Sequence, residues 1–178
     1  MRLSGSTVNC VFFDGTSVHC ANAGDSRAIK VKLTYDENNK LHTVCEALSE
    51  DHKPDLESEK TRILGMGGRI DTFHDTQNNN EPIGPYRVWL KHEELPGLAM
   101  SRSLGDRIAH SVGVSSLPEV KTTYLGVDDK FIVVGTDGVW EFLSNEEIAE
   151  IVLPFYQMNQ PEAAANAIVK EAYKKWRE

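Results

Sequence analysis

The chain has 178 residues, with 27 acidic and 19 basic side chains and a formal net charge of −8. Its composition is that of a folded globular protein, and its length favours a single domain. No apolar run approaches the ~20 residues that cross a bilayer, and the first residues are too polar for a secretory signal. The acidic balance argues against binding to nucleic acid or to a membrane surface, since both need a basic face.

The three cysteines, Cys10, Cys20 and Cys45, are too few and too scattered for a disulfide framework or a thiolate zinc site. Each lies in a stretch with strand character, where a free thiol behaves as a small apolar side chain. Free thiols indicate a reducing compartment, so we expect the protein in the cytoplasm or the nucleus.

The first fifty residues have the pattern of a β-meander. Tight turns are predicted at Asp14-Gly15 and at Gly24-Asp25, where the residue types suit hairpin connections. Sequential strands with short links fold most simply as an antiparallel sheet. The predicted strands cover residues 8–13, 18–23, 27–33 and 41–48.

The middle of the chain is less regular. Asp55 is predicted to cap a helix that carries Leu56, Ile63 and Leu64 on one side and ends at Gly67-Gly68. Residues 73–85, with three asparagines and two prolines, are expected to form an exposed mobile loop. A strand is predicted at 86–90, followed by a short irregular or helical piece at 97–105.

The last third alternates between a strand and helices. The apolar run at 131–134 predicts a central strand buried on both faces. Ser144 and Glu147 match a capping box, and Pro161 suits the first turn of a second helix. That helix repeats an apolar or small residue every four positions, at Ala164, Ile168, Ala172 and Trp176. The fold class is therefore α+β.

Asp137 follows the apolar strand, and Glu141 comes one turn later if the chain becomes helical there. Two carboxylates at that separation repel each other unless a cation lies between them. Oxygen ligands alone favour Mg²⁺, Mn²⁺ or Ca²⁺ over zinc. The alternative is that Asp137 caps the helix and Glu141 is solvated, and the spacing does not decide between the two.

Other candidate motifs carry less chemistry. Asp25 lies in a Gly-Asp turn, which by itself indicates a hairpin and nothing more. Residues 4–7 lack the lysine and the glycine spacing of a P-loop, and the histidines lack metal-ligand spacing. No nucleophile elbow or cysteine nucleophile signature is present. Carboxylate-metal chemistry is therefore the chemistry left open.

Short motifs run in a fixed order from residue 4 to residue 145. They are Ser4-Gly5-Ser6-Thr7, Ala21-Asn22-Ala23-Gly24-Asp25-Ser26-Arg27, Asp51-His52-Lys53-Pro54, Arg62-Ile63 with Gly67-Gly68, Leu98-Ala99-Met100-Ser101-Arg102-Ser103-Leu104-Gly105-Asp106, Pro118-Glu119-Val120, and Thr136-Asp137-Gly138-Val139-Trp140 with Leu143-Ser144-Asn145. Each is weak alone. Together they resemble the metal-dependent protein serine/threonine phosphatases of type 2C.

The resemblance implies an α-β-β-α sandwich, an antiparallel β-sandwich flanked by helices, with a metal centre at one end. It assigns Asp137 to a binuclear Mg²⁺ or Mn²⁺ centre, and Asp25 and Glu141 to a third metal site. Many relatives carry aspartate where this chain has Glu141. Thr7 becomes a hydrogen-bonding residue beside that site, and residues 62–97 form or border a substrate-selecting flap.

The implied reaction is hydrolysis of phosphoserine and phosphothreonine in phosphoprotein substrates. Two ions about 3.5–4 Å apart lower the pKa of a bridging water and offset charge on the phosphoryl oxygens. The resulting hydroxide attacks phosphorus in line, without a covalent intermediate.

Two motifs of the family are missing. The chain has no Asp-Gly-His-Gly-Gly, since Asp14-Gly15 continues as Thr16-Ser17, and no closing Asp-Asn/Asp-Ile-Thr strand. We therefore expect the central and C-terminal part of a catalytic domain, with a sandwich incomplete at both ends and little activity of its own. Sheet edges left open in this way predict an edge-paired or strand-exchanged dimer.

Two rival functions stay open at this stage. A phosphatase-like module without catalysis could bind phosphoproteins or regulate a kinase, and the missing N-terminal ligands favour it if the natural protein starts at Met1. A calcium-binding or adhesion domain predicts Asx-rich loops of fixed spacing, and only residues 78–80 offer anything similar. The carboxylates Asp25, Asp137 and Glu141 favour the enzyme.

Overall fold

The computed structural model describes residues 3–75, 79 and 81–178. Its strands are β1 Gly5–Ser6, β2 Val8–Asp14, β3 Ser17–Ala23, β4 Arg27–Tyr35, β5 Leu41–Ala47, β6 Gly68–Asp75, β7 Glu81–Leu90, β8 Pro96–Leu98, β9 Leu104–Gly105, β10 Glu119–Tyr124 and β11 Asp129–Gly135. Its helices are α1 Glu57–Gly65, α2 Arg107–His110, α3 Asp137–Trp140, α4 Asn145–Gln157 and α5 Pro161–Trp176. Over the described ranges, no helix is long and apolar enough to cross a membrane.

The chain folds into two compact units. The first takes Met1–Val8, Ala21–Asp25 and Asp51–Glu119, and the second takes Asn9–Cys20, Ser26–Glu50 and Val120–Glu178. Each unit draws on separate stretches of sequence, so its core depends on contacts between residues far apart in the chain.

The first unit is built on an antiparallel three-stranded sheet in the order β6-β7-β8. The register pairs Gly68 with Leu90 at one end and Asp75 with Glu81 at the other. Its core combines residues of α1, α2, β7 and the loop after α2, namely Ile63, Val88, Ala109, Val112 and Val114. The two helices therefore contribute to this core through Ile63 of α1 and Ala109 of α2.

A buried ionic cluster also stabilises the first unit. Glu59 is 1 % exposed and accepts two hydrogen bonds of 2.7 Å from Arg62, one of 2.8 Å from Arg102 Nη2 and one of 2.5 Å from Ser101. Burial alone would raise the pKa of Glu59, but the hydrogen bonds from Arg62, Arg102 and Ser101 outweigh it and hold the pKa far below its usual range. The carboxylate is thus charged in the folded protein and ties α1 to the segment that contains Ser101.

The second unit contains two three-stranded sheets, in the orders β10-β3-β2 and β11-β4-β5. Val18, Cys20, Ala28 and Leu48 form a core in which Val11, Leu125 and Ile132 also take part, so residues of both sheets contribute. A second core joins β4 to the helices α4 and α5 through Ile29, Val31, Ile148, Val152, Ala164 and Ile168. The result is the predicted α+β class, a β-sandwich with helices packed on it.

Lys30 is a charged residue inside this otherwise apolar layer. It is 2 % exposed and its Nζ lies 3.1 Å from Asp129, 3.2 Å from Glu46 and 3.2 Å from the carbonyl oxygen of Tyr124. Burial lowers the pKa of Lys30, but the hydrogen bonds to Asp129 and Glu46 outweigh it and raise the pKa above its usual value. The ammonium is therefore charged and links three strands or strand ends of the unit.

Two predictions based on local patterns, the capping box and the start of the last helix, are confirmed. Ser144 Oγ accepts the Glu147 N–H at 3.1 Å while Glu147 Oε2 accepts the Ser144 N–H at 2.8 Å, which is the capping box. Pro161 is the first residue of α5, and Ala164, Ile168 and Ala172 are buried along it. Trp176, predicted on the same face, is instead 63 % exposed.

Several other predictions are wrong. The first four predicted strands do not form one meander, because β3 and β4 belong to different sheets. Residues 73–75 and 81–85 extend β6 and β7, whereas a loop was predicted; residues 76–78 and 80 lie outside the described residues. Asp55 does not cap α1, whose N-cap is Leu56 without a side-chain bond. Residues 131–134 were predicted to form a central strand, but they belong to β11, which is the end strand of its sheet.

Candidate functional site

The transition from β11 to α3 positions the strongest candidate residues. Gly135 ends the strand, and Thr136 is the N-cap residue of a single helical turn that begins at Asp137. Trp140 stabilises this turn. Its ring is buried, and its Nε1–H donates to the Gly135 carbonyl oxygen at 2.8 Å. The Arg27 guanidinium carbon lies 5.1 Å from the centre of the Trp140 ring, a cation–π distance. Trp140 therefore fixes the end of the helical turn to the protein interior, while Asp137, the first residue of the turn, is exposed to solvent.

Asp137 and Glu141 are one helical turn apart, as the sequence predicted. The Glu141 N–H donates to the Asp137 carbonyl oxygen at 2.9 Å, which sets the two side chains at i and i+4. Both residues are exposed, and within the part of the chain that the structure describes neither carboxylate has a hydrogen bond or an ion pair. The alternative in which Asp137 caps the helix is wrong, since Thr136 holds that position.

Asp25 has different surroundings. It is 3 % exposed, and its Oδ2 lies 2.6 Å from the Nζ of Lys53, which is 30 % exposed. The turn that sequence reasoning alone treated as ordinary therefore carries a buried carboxylate whose charge is already balanced by a lysine. Burying such a carboxylate without a partner would be costly.

His52 holds the backbone next to Asp25. The His52 N–H donates to the Gly24 carbonyl oxygen at 3.0 Å, and the Gly24 N–H donates to His52 Nδ1 at 3.2 Å. His52 Nδ1 also lies 3.2 Å from the Gly24 carbonyl oxygen, and Nε2 lies 3.4 Å from Glu119 Oε2. Burial, and then the nearby Arg102 charge, lower the pKa of His52 and favour the neutral ring.

Thr7 lies beside the same turn. Gly24 has a φ of +117°, and a Cβ there would overlap the Thr7 side chain. Only glycine allows both this backbone conformation and this close approach. Thr7 therefore lies beside the Gly24-Asp25 turn, and its hydrogen-bonding role at a metal site stays a prediction.

The structure does not bring the predicted ligands into one cluster. Over residues 3–75, 79 and 81–178 it contains no group of three or more His, Cys, Asp or Glu side chains that could hold a metal ion. Asp25 belongs to the first unit, and Asp137 and Glu141 belong to the second. The exposed carboxylates of Asp137 and Glu141 are suitable oxygen ligands for a hard divalent cation. The Asp25 carboxylate could bind such a cation only if the Lys53 ammonium moved away from it.

Sequence reasoning missed two residues that shape this site. Lys53 and His52 lie in the Asp-His-Lys-Pro motif, which contributed to the resemblance without any role assigned to them. The motif follows the Gly24-Asp25 turn by about thirty residues, so nothing in the local pattern indicates that the two segments meet.

The comparison with known families decides the identity of the fold. The model of the family described as Protein phosphatase 2C matches residues 2–178. The chain belongs to the protein phosphatase 2C family. Among its curated relatives, "Probable protein phosphatase 2C 34" of Arabidopsis thaliana is 38 % identical over 173 residues, which are 97 % of this chain and 45 % of the relative. "Probable protein phosphatase 2C 12" of Oryza sativa subsp. japonica is 41 % identical over 174 residues, 98 % of this chain and 41 % of the relative.

Solved structures agree on the phosphatase 2C fold. The crystal structure of a serine-threonine phosphatase 2C from Toxoplasma gondii matches with a TM-score of 0.80 and 24 % identity, over 99 % of this chain and 54 % of that one. A C. elegans sex determining protein matches with a TM-score of 0.71 and 20 % identity, over 96 % and 37 %. At these identities the likeness concerns the fold alone. The chain spans about half the length of the relatives it matches.

Proposed function

We propose that this chain supplies part of the metal centre of a protein serine/threonine phosphatase that hydrolyses phosphoserine and phosphothreonine. The observation that carries the proposal is the pair of exposed, unpaired carboxylates of Asp137 and Glu141, one turn apart at the end of β11. The family match over residues 2–178 supports the same chemistry. When bound, Mg²⁺ or Mn²⁺ ions at two core positions and at a third supply a water of lowered pKa and charge for the phosphoryl oxygens.

The residues of this chain have distinct tasks in that scheme. Asp137, fixed by the Trp140 bond beneath it, presents an oxygen ligand at a defined position. Glu141 adds a second oxygen on a longer side chain than the aspartate of many relatives, so its hold on an ion is looser. Asp25 is held in place by its ion pair with Lys53, and His52 and Thr7 fix the backbone of its turn.

Residues 62–97, which run from the end of α1 through β6 and β7 into β8, are proposed as the flap that contacts the phosphoprotein. Its hairpin exposes apolar side chains, with Phe73, Ile83 and Tyr86 each about half exposed. Exposed apolar residues near one another are typical of surfaces that contact another protein. Selection of the phosphorylated segment would then depend on this hairpin rather than on the carboxylates.

The activity of these 178 residues alone is expected to be weak, because they contain only three of the carboxylates that the family resemblance assigns to metal. Hydrolysis of p-nitrophenyl phosphate with added Mn²⁺ measures it directly. Strong turnover that Asp137→Ala abolishes would confirm phosphatase chemistry and contradict the expectation of weak activity.

Metal binding offers a test that does not need turnover. We expect calorimetric titration to detect Mn²⁺ binding that Asp137→Asn removes and that Glu141→Gln weakens. Glu150→Gln, an exposed acidic residue on α4, is the matched control and should leave binding unchanged. Equal binding by Asp137→Asn and the unaltered chain would contradict the proposed role of Asp137.

A non-catalytic phosphatase-like module remains the second candidate, and the Asp25–Lys53 ion pair favours it, since a carboxylate already balanced by lysine has less need of a metal. This candidate predicts that the chain binds a phosphoserine peptide equally with Mn²⁺ and with EDTA. Binding that requires Mn²⁺ would favour the enzyme instead.

A further inference from the structure

Ser101 joins the buried ionic cluster of the first unit to the segment that contains His52. The residue is fully buried, and its Oγ donates to Glu59 Oε2 at 2.5 Å. Its backbone N–H donates to the His52 carbonyl oxygen at 2.8 Å. Its own carbonyl oxygen accepts hydrogen bonds from Arg62 Nη2 at 2.9 Å and from the Ser115 N–H at 3.2 Å. The hydroxyl, the N–H and the C=O of Ser101 are therefore all bonded, so this residue has little freedom to move.

His52 connects Ser101 to the Gly24-Asp25 turn. The backbone N–H of His52 donates to the Gly24 carbonyl oxygen at 3.0 Å, and its ring Nδ1 lies 3.2 Å from the Gly24 nitrogen. Lys53, which directly follows His52, forms the 2.6 Å ion pair with Asp25, which directly follows Gly24. Two adjacent residues thus hold two adjacent residues, so a displacement of His52 would move both partners of the ion pair.

Arg102, the residue after Ser101, also contacts the turn. A Cβ on Gly24 would lie only 3.2 Å from the Arg102 carbonyl oxygen, so the two backbone segments are in close contact. The Arg102 guanidinium donates to Glu59 Oε1 from Nη2 at 2.8 Å and from Nε at 3.2 Å. Glu59 therefore holds both residues of this segment, one of which contacts the turn and the other its neighbour His52.

We propose that Glu59 and Ser101 are positioning residues for Asp25, and that they set the affinity with which its carboxylate binds a divalent cation. This inference rests on the proposed role of Asp25 as a metal ligand. Replacing residues that orient metal ligands typically costs about 10–100-fold in metal affinity. The Glu59 carboxylate also accepts two hydrogen bonds from Arg62, the first residue of the proposed flap. One buried group thus holds both the start of the flap and the support of Asp25.

Ser101→Ala tests the inference against a matched control in the same segment. The variant removes the hydroxyl that bonds to Glu59 and keeps the backbone bond to His52. Ser103→Ala is the control, because Ser103 is also fully buried but its Oγ has no hydrogen-bond partner among the residues that the structure describes. Each variant loses one buried hydroxyl, and only Ser101→Ala loses a bond to Glu59.

Hydrogen exchange without metal is the first measurement. We expect Ser101→Ala to speed exchange of the Gly24 and His52 amide protons about fivefold or more relative to the amides of β7, which is the effect of one hydrogen bond of average strength. The β7 amides serve as the reference because they report on the first unit as a whole. Ser103→Ala should leave this ratio unchanged. Equal ratios in the two variants would overturn the inference, whether or not the chain binds metal.

Calorimetric titration with Mn²⁺ is the second measurement. Lys53→Met removes the charge that competes for Asp25, so it should raise Mn²⁺ affinity about tenfold in the otherwise unaltered chain. Combined with Ser101→Ala the gain should fall to about twofold or less, whereas combined with Ser103→Ala it should stay about tenfold. A tenfold gain in both backgrounds would overturn the inference. No gain from Lys53→Met alone would contradict Asp25 as a ligand and with it the metal part of the inference, while the exchange ratio still decides whether Ser101 positions the turn.

Discussion

The ion pair between Lys53 and Asp25 leads to a prediction about metal affinity. If Asp25 is a metal ligand, an incoming cation must displace the Lys53 ammonium, which lies 2.6 Å from the carboxylate. Lys53→Met keeps the length and apolar part of the side chain and removes the competing charge. The variant should therefore bind Mn²⁺ more tightly than the unaltered chain.

The size of the effect follows from the burial of the two partners. Asp25 is 3 % exposed and Lys53 is 30 % exposed, so the pair lies between an exposed ion pair and a buried one. Exposed pairs contribute about 0.2–1 kcal/mol, while breaking a fully buried one costs about 3–5 kcal/mol. A middle value near 1.4 kcal/mol corresponds to about a tenfold gain in Mn²⁺ affinity.

Two measurements on the same variant check this reasoning. Without metal, Lys53→Met should melt at a lower temperature because Asp25 is left buried and unpaired; added Mn²⁺ should restore the melting temperature more than in the unaltered chain. Lys32→Met, which removes an exposed lysine paired with Glu46 at 3.6 Å, serves as control. Equal Mn²⁺ affinity of Lys53→Met and the unaltered chain would refute the role of Asp25 as a ligand.

Two further predictions concern the framework of the site. Because the folded pKa of Glu59 lies below its unfolded value of about 4.3, its stabilising contribution is complete above that pH and is lost as the pH falls below it. Glu59→Gln should lower the free energy of unfolding, measured in urea at pH 7, by about 3–5 kcal/mol. The difference in unfolding free energy between the variant and the unaltered chain should become smaller below about pH 4. A difference that does not change with pH would contradict this reasoning. Trp140→Phe removes the 2.8 Å hydrogen bond to the Gly135 carbonyl oxygen. The variant should have a free energy of unfolding about 1 kcal/mol lower in urea, and it should bind Mn²⁺ more weakly. Unchanged Mn²⁺ binding would show that this hydrogen bond does not position Asp137.

The features predicted correctly from sequence are those set by neighbouring residues. The Ser144–Glu147 capping box and the Pro161 helix start involve positions three or fewer apart, and no distant contact can easily override them. The spacing of Asp137 and Glu141 is of the same kind, since a strand end followed by one helical turn determines it.

Apart from the Asp55 cap, the features predicted wrongly depend on distant partners. Prolines and asparagines suggested a loop over 73–85, but Phe73 packs edge-on against Trp89 at 5.3 Å and the Arg87 guanidinium lies 4.8 Å from the Phe73 ring. Such cross-strand contacts stabilise a hairpin in spite of the local preference. The apolar run 131–134 could not indicate an edge position, because helices cover one face of β11 and the opposing sheet covers the other.

The candidate ligands differ in how much they need a cation. Asp25 is balanced by Lys53, so metal adds little to the electrostatic stability of its turn. Asp137 and Glu141 repel each other at i and i+4, which costs a few tenths of a kcal/mol in a helix, and a bound cation would turn that repulsion into attraction. The stabilising effect of Mn²⁺ should therefore appear first at the turn after β11. Hydrogen exchange with and without Mn²⁺ would show it as slower exchange at residues 139–143 with little change at 24–28, and the reverse pattern would place the first-bound ion at Asp25.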